Sequence, residues 1–158
     1  MPRLLLVLFV ALLAFQPPAL AEVRRLAFVQ DDGTLAVGRR TVRLYGIYIP
    51  PTNRVCRTAI RPVRCASRAV LQLDLRVDRF VACNRMARHA DGSESAVCRI
   101  RVRNSPLGPE VDLSAWMLYH GWAVALPGAP FEYLVLERIA RERGRGVWSF
   151  PVDSITFR

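Results

Sequence analysis

The chain has 158 residues, with 23 basic against 13 acidic side chains and a formal net charge of +10, and every basic residue is an arginine. That length suits one domain with a single core and scarcely two. The charge favours anionic partners (nucleic acid, anionic lipid headgroups or acidic glycans) over cationic ones, and does not choose among them.

Met1 to Ala21 combines Arg3, an apolar run from Leu4 to Phe15 and Ala19-Leu20-Ala21, the pattern of a secretory signal with an A-x-A cleavage site. The run is shorter than the roughly 20 residues of a bilayer span, and Pro17-Pro18 would end a helix there. An uncleaved anchor is the competing reading. The expectation is an exported protein, periplasmic or extracellular, with a signal peptide at 1–21, a single domain at 22–158 and no stable membrane span after cleavage. Cys56, Cys65, Cys83 and Cys98 read as two disulfides formed in an oxidising compartment. The rival, a zinc site, lacks any C-x-x-C, and His89 and His120 have no paired spacing.

In chain order, Val23 to Val29 and Thr34 to Val37 are strand-like, separated by the turn Gln30-Asp31-Asp32-Gly33. Gly38-Arg39-Arg40 leads into a third strand over Thr41 to Ile49, so the domain opens with a three-stranded meander. Pro50-Pro51 stops it, and an arginine-rich irregular stretch runs to Pro62. A helix is expected over Val63 to Leu75, with Val63, Ala66, Ala69, Val70 and Leu73 on one face. Arg76 to Cys83 and Ser95 to Val102 form a hairpin around the polar segment Asn84 to Glu94. In that register Cys83 falls opposite Cys98, within disulfide reach, and Cys56 with Cys65 follows by elimination and by its short loop. Asn104 to Pro109 reads as a loop, and Val111 to His120 as a short helix stopped by Gly121. A last helix covers Phe131 to Arg143, with Phe131, Leu134, Val135 and Ile139 on one side and Glu137, Arg138, Arg141 and Glu142 on the other. Trp148 then covers the edge of the core. The sum is an α+β domain, a β-barrel capped by helices.

Several stretches fall in the order of one known family. Val29-Gln30-Asp31-Asp32-Gly33-Thr34-Leu35, Val42-Arg43-Leu44-Tyr45-Gly46-Ile47, Gly121-Trp122-Ala123 and Tyr133 to Trp148, with Glu137, Ala140, Arg141, Gly146 and Val147, together resemble the staphylococcal-nuclease-like (thermonuclease) domains. The resemblance covers Val23 to Trp148. It implies a five-stranded OB barrel with three helices, and calcium-dependent hydrolysis of DNA and RNA phosphodiesters. Such chemistry needs carboxylates for a hard cation, a general base or positioned water, and guanidinium groups for the phosphate.

The residues at the corresponding positions do not supply that set. Gly33 stands where the resemblance implies a metal-binding Asp, Tyr48 where it implies the second one, and Pro51 where it implies the Glu that acts on water. Arg43 matches the first phosphate-contacting Arg, while the place of the second falls near Glu94 or Ser95. Loss of a general base alone costs about 10² to 10⁴ in rate, and groups that work as a unit fail together.

The expectation is therefore a catalytically inactive homologue that needs no cofactor and binds nucleic acid or another polyanion through an arginine surface including Arg43, Arg99 and Arg101. One alternative is an active divergent nuclease with calcium held by Asp31, Asp32 and Glu94, and another is an envelope protein-interaction module. Asp31 and Asp32 read more readily as turn residues than as metal ligands. Arg43 is divided between phosphate contact and an ion pair, and Arg64, Arg68, Arg99, Arg101 and Arg103 also suit a solvated face. Trp116, Trp122 and Trp148 suit core or rim positions better than base stacking, and His120 suits a helix end.

Overall fold

The computed structural model describes residues 23–57, 64–77, 79–101 and 108–149; the proposed signal, Pro62, Val63, Val102 and Arg103 lie outside them. In chain order the elements are β1 (Arg25–Val29), β2 (Leu35–Val37), β3 (Arg40–Leu44), β4 (Ile47–Tyr48), β5 (Arg54–Arg57), β6 (Arg64–Ser67) and α1 (Arg68–Arg76). They continue with β7 (Phe80–Arg88), β8 (Glu94–Arg101), β9 (Glu110–Asp112), α2 (Leu113–Tyr119), β10 (Val124–Ala125), α3 (Phe131–Glu142) and a 3-10 turn (Gly146–Ser149).

Strands β1, β2 and β3 form the expected antiparallel meander. Its inward positions, Ala27, Val29, Leu35, Val37, Val42 and Leu44, are buried, while Phe28, Thr41 and Arg43 alternate outward, as the two-residue period of a strand requires. The β7–β8 hairpin closes the sheet, because β7 pairs antiparallel with β1 and β8 pairs parallel with β3. The result is a closed five-stranded barrel with three helices, an α+β fold of OB-like form. β3 pairs with the first part of β8, and β9 extends the sheet along the last part, which β3 does not reach. Leu73 from α1 and Leu113, Met117 and Leu118 from α2 are fully buried with Leu35 and Val42 of the barrel. Each large aliphatic side chain so buried contributes about 1.5–3 kcal/mol.

Several boundaries differ from the sequence reading, each for a local reason. The third strand breaks at Tyr45–Gly46: Gly46 has φ +71, and a Cβ there would stand 3.1 Å from Tyr133 Cδ2, so the chain turns under that ring and β4 pairs with β10 instead. The helix expected from Val63 begins only at Arg68, because Ser67 caps it by accepting from the Val70 N–H at 3.3 Å. Before the cap, 64–67, expected as the first turn of that helix, pairs as a hairpin with 54–57, which the sequence reads as irregular. The first strand of the large hairpin does not start at Arg76, which ends α1, and it does not stop at Cys83. It runs on to Arg88, leaving only 89–93 as the turn. Val111 belongs to β9, since Asp112 accepts from the Ser114 and Ala115 N–H groups and so starts α2.

Helix α3 is turned relative to the apolar face expected of it. Tyr133, Glu137 and Ala140 are buried, whereas Phe131 is 78% exposed and Leu134 and Val135 are also exposed. Polar anchoring decides this: Tyr133 donates to Asp112 Oδ2 at 2.6 Å, and Glu137 accepts from the Ala125 N–H at 2.9 Å and from Arg141 Nε at 2.8 Å. Burial, and then that bond to Asp112, push the Tyr133 phenol well above its ordinary range. The Gly121 and Gly146 stretches prove to be one contact, in which Val147 N donates to Gly121 O at 2.8 Å.

Cys83 and Cys98 are opposite in the β7–β8 ladder and form a disulfide. Cys56 is opposite Cys65 in β5–β6, and Cys65 is disulfide-bonded. Among the described residues no helix is long and apolar enough to cross a membrane.

Candidate functional site

The β1–β2 turn is closed by its own side chains. Asp32 Oδ1 accepts from the Thr34 N–H at 2.9 Å and from Thr34 Oγ1 at 2.8 Å, an Asx-type arrangement that explains Asp at this place. Gly33 has φ +83, and a Cβ there would stand 2.9 Å from Ile49 Cδ1. An Asp at that position would have to adopt the left-handed conformation and push the end of the Ile49 side chain aside. Ile49, between Tyr48 and Pro50, fills the space with an apolar group. The turn and the Tyr48–Pro51 segment do meet, but they bring no set of carboxylates together. Tyr48 lies in β4 opposite Val124, and Pro51 is exposed.

These residues do not fit calcium. A hard cation takes several charged or carbonyl oxygens, and the side chains of Gly33, Tyr48 and Pro51 offer a hydrogen, a phenol and a proline ring. Among the described residues no group of three or more His, Cys, Asp or Glu side chains could hold a metal ion. Glu94, the third member of the rebuilt-site alternative, is committed elsewhere.

Arg43 projects outward from β3, opposite Ser95 of β8. Its Nη2 donates to Asp91 Oδ2 at 2.7 Å and its Nε to Ser93 Oγ at 3.2 Å. Asp91 is held in place by Ser93, whose N–H and Oγ both donate to Oδ1. Those Ser93 bonds, and then the Arg43 charge, keep the Asp91 carboxyl below its ordinary range despite some opposing desolvation. On the other side of the same turn, His89 Nε2 lies 2.6 Å from Ser95 Oγ.

Beside this pair is a cluster that the sequence reading did not find. Glu94, with 2% of its side chain exposed, receives three guanidinium groups: Arg40 Nη1 on Oε2 at 3.1 Å, and Arg85 Nη1 and Arg88 Nη2 on Oε1 at 3.1 and 3.2 Å. Burial raises the Glu94 carboxyl, but the hydrogen bonds from Arg88 and Arg85 and the charge of Arg40 outweigh it, and Glu94 titrates below its ordinary range. Glu94 has the inward parity of Ala96, Cys98 and Ile100 in β8, so the cluster closes one mouth of the barrel. Arg85 and Arg88 were assigned to a loop in the sequence reading, and a loop gives no register with which to place them.

Arg99 and Arg101 do not join this group. They lie four and six residues along β8 from Ser95, the ladder partner of Arg43, which is roughly 13 and 20 Å at strand rise. Arg101 Nη2 approaches Glu110 Oε1 at 3.6 Å, and Arg24 binds the same carboxylate. The tryptophans occupy the helical side: Trp116 stacks on His120 with ring centroids 4.3 Å apart, and Arg141 covers Trp148 at 4.1 Å. His120 caps α2, with Nδ1 2.9 Å from Trp116 O.

Comparison with models of known protein families and with curated proteins finds no match to this chain.

Proposed function

We propose that this is an exported, staphylococcal-nuclease-like OB barrel that does not hydrolyse nucleic acid and instead binds it, or another polyanion, through its arginine surface. The observation that supports this most directly is the cluster at the barrel mouth, where three guanidinium groups meet one carboxylate. That leaves local positive charge in excess beside Arg43, next to a turn whose one carboxylate, Asp91, is already engaged. Grooves on OB barrels accept single strands, with cationic side chains tracking the backbone. The Cys83–Cys98 disulfide agrees with an oxidising location.

The test is binding of single-stranded DNA over a range of salt. Affinity is expected to fall with a log–log slope of roughly −0.7 per phosphate neutralised. Arg43→Ala is expected to weaken binding more than Arg138→Ala, which removes an exposed arginine of α3. Equal small losses would reduce the effect to diffuse charge. They would favour a second reading, a protein-interaction module, for which the exposed Phe131, Leu134 and Val135 face of α3 is the supporting observation.

A further inference from the structure

We infer that Arg40, Arg85 and Arg88, held together by Glu94, form a receptor for a terminal phosphate monoester. This deepens the polyanion reading and names the anion that the barrel mouth selects.

One carboxylate neutralises one guanidinium, yet three converge on Glu94, so the cluster carries two positive charges beyond what it needs for its own balance. Like charges gathered this closely repel one another, and a stable cluster of this kind is suited to an incoming anion. Glu94 is nearly inaccessible, while the arginine side chains are 37, 53 and 67% exposed for Arg40, Arg85 and Arg88. An anion arriving from solvent therefore meets guanidinium edges, with the carboxylate shielded beneath them. Each arginine gives Glu94 one terminal nitrogen. The same planar group keeps a second terminal nitrogen and Nε for a ligand.

Organisation comes next. An isolated surface arginine loses side-chain freedom when it binds, whereas these three are already fixed by one buried acceptor, which lowers the entropic cost of engaging them together. The strands reinforce this, because Arg88 is the ladder partner of Glu94 and Arg85 sits beside a bulge between 85 and 87 that re-aims this stretch of β7. The cluster sits on barrel strands, where the Arg88–Glu94 pair closes the ladder beside the turn that carries Asp91, and Asp91 itself is paired with Arg43.

Charge and shape then choose the ligand. A phosphate monoester carries about −1.5 to −2 at neutral pH and has three terminal oxygens, matching a surplus of two charges and three guanidinium groups. A backbone diester carries one negative charge and two terminal oxygens, and leaves the cluster half-neutralised. The same chemistry occurs at the 5′ end of a nucleic acid and on a phosphorylated sugar.

The experiment compares methyl phosphate with dimethyl phosphate, titrated into the purified protein at fixed ionic strength and followed by calorimetry. Methyl phosphate is expected to bind at least about tenfold more tightly, because it brings more negative charge and a third terminal oxygen to the three guanidinium groups. Arg88→Lys and Arg85→Lys keep the charge and the fold but lose the planar fork, and each is expected to reduce that preference severalfold, while Arg138→Lys leaves it unchanged. Equal affinity for the two esters, or a preference unmoved by both cluster variants, overturns the inference. A 5′-mononucleotide and a hexose 6-phosphate, titrated in the same way, show which source of the monoester is preferred. Single-stranded DNA binding without any monoester preference would sink this inference and leave the polyanion reading standing. Monoester preference without DNA binding would do the reverse.

Discussion

Arg43 is tied to Asp91 across the join between β3 and the β7–β8 turn, Nη2 to Oδ2 at 2.7 Å, and both side chains are about half exposed, at 54 and 52%. The arginine to which the resemblance gives a phosphate contact thus already has an anionic partner, one that a ligand phosphate on the proposed reading must displace or share. A surface pair of this kind is weak and screened by salt.

Asp91→Asn is accordingly expected to strengthen binding of single-stranded DNA by about two- to fivefold at low ionic strength, with the gain vanishing as salt rises. Fluorescence anisotropy of a labelled oligonucleotide measures this. A loss of affinity would show that Asp91 positions Arg43 for the ligand and does not compete with it.

The Glu94 cluster makes a prediction in pH. Glu94 titrates below its ordinary value of 4.5 in the folded protein, so its contribution to stability is fully present above the unfolded carboxylate range and is lost as pH falls through the folded value. Urea midpoints of the wild type are expected to exceed those of Glu94→Gln by a constant margin between about pH 5 and 7, and the two curves to converge in stronger acid. A margin that persists unchanged in strong acid would mean that the Glu94 charge is not its source.

Much of this molecule was legible in the sequence where period and turn chemistry coincide. The β1–β2–β3 meander, the Cys83–Cys98 register and the stop at Gly121 all rest on local rules, and the structure has each of them. Contacts between distant residues were not legible. The outward turn of Phe131 depends on Tyr133 meeting Asp112, 21 residues away, and the break after Leu44 depends on the same Tyr133 ring above Gly46. The candidate site divided in the same way. That Gly33, Tyr48 and Pro51 carry no carboxylates where the resemblance implies them is readable from residue identity. The Arg40–Arg85–Arg88 cluster needed the extension of β7 to Arg88, which polar residues such as Asn84 and Arg85 disguised as loop.

The disulfide between Cys83 and Cys98 spans a sequence separation of 15 residues. Closing such a loop in the unfolded chain contributes about 3 kcal/mol in the chain-entropy model. Cys83→Ala/Cys98→Ala is expected to lower unfolding free energy by about that amount without changing the barrel's circular dichroism, as denaturant titration would report. A negligible change would place the staple in a region that unfolds independently.

Two glycines separate backbone strain from close contact. Gly128 has φ +82 with open space around it, whereas Gly121 has φ +71 and a Cβ there would fall 2.2 Å from Arg145 O. Gly128→Ala is expected to cost about 1 kcal/mol, the left-handed penalty alone. Gly121→Ala should cost several times that, since the carbonyl cannot yield without losing the contact with the closing 3-10 turn. Similar melting temperatures for the two variants would contradict this packing.

The central claim, binding without hydrolysis, is tested most directly by one incubation read in two ways. A 5′-labelled single-stranded oligonucleotide is mixed with the purified protein in calcium buffer, its anisotropy is recorded at equilibrium, and the same sample is then run on a denaturing gel beside a chelator-treated control. Salt-sensitive binding and an oligonucleotide of unchanged length in both lanes are expected, because Gly33, Tyr48 and Pro51 supply neither metal ligands nor a base. Chelator-sensitive shortening of the label, or no binding at low salt, would contradict it.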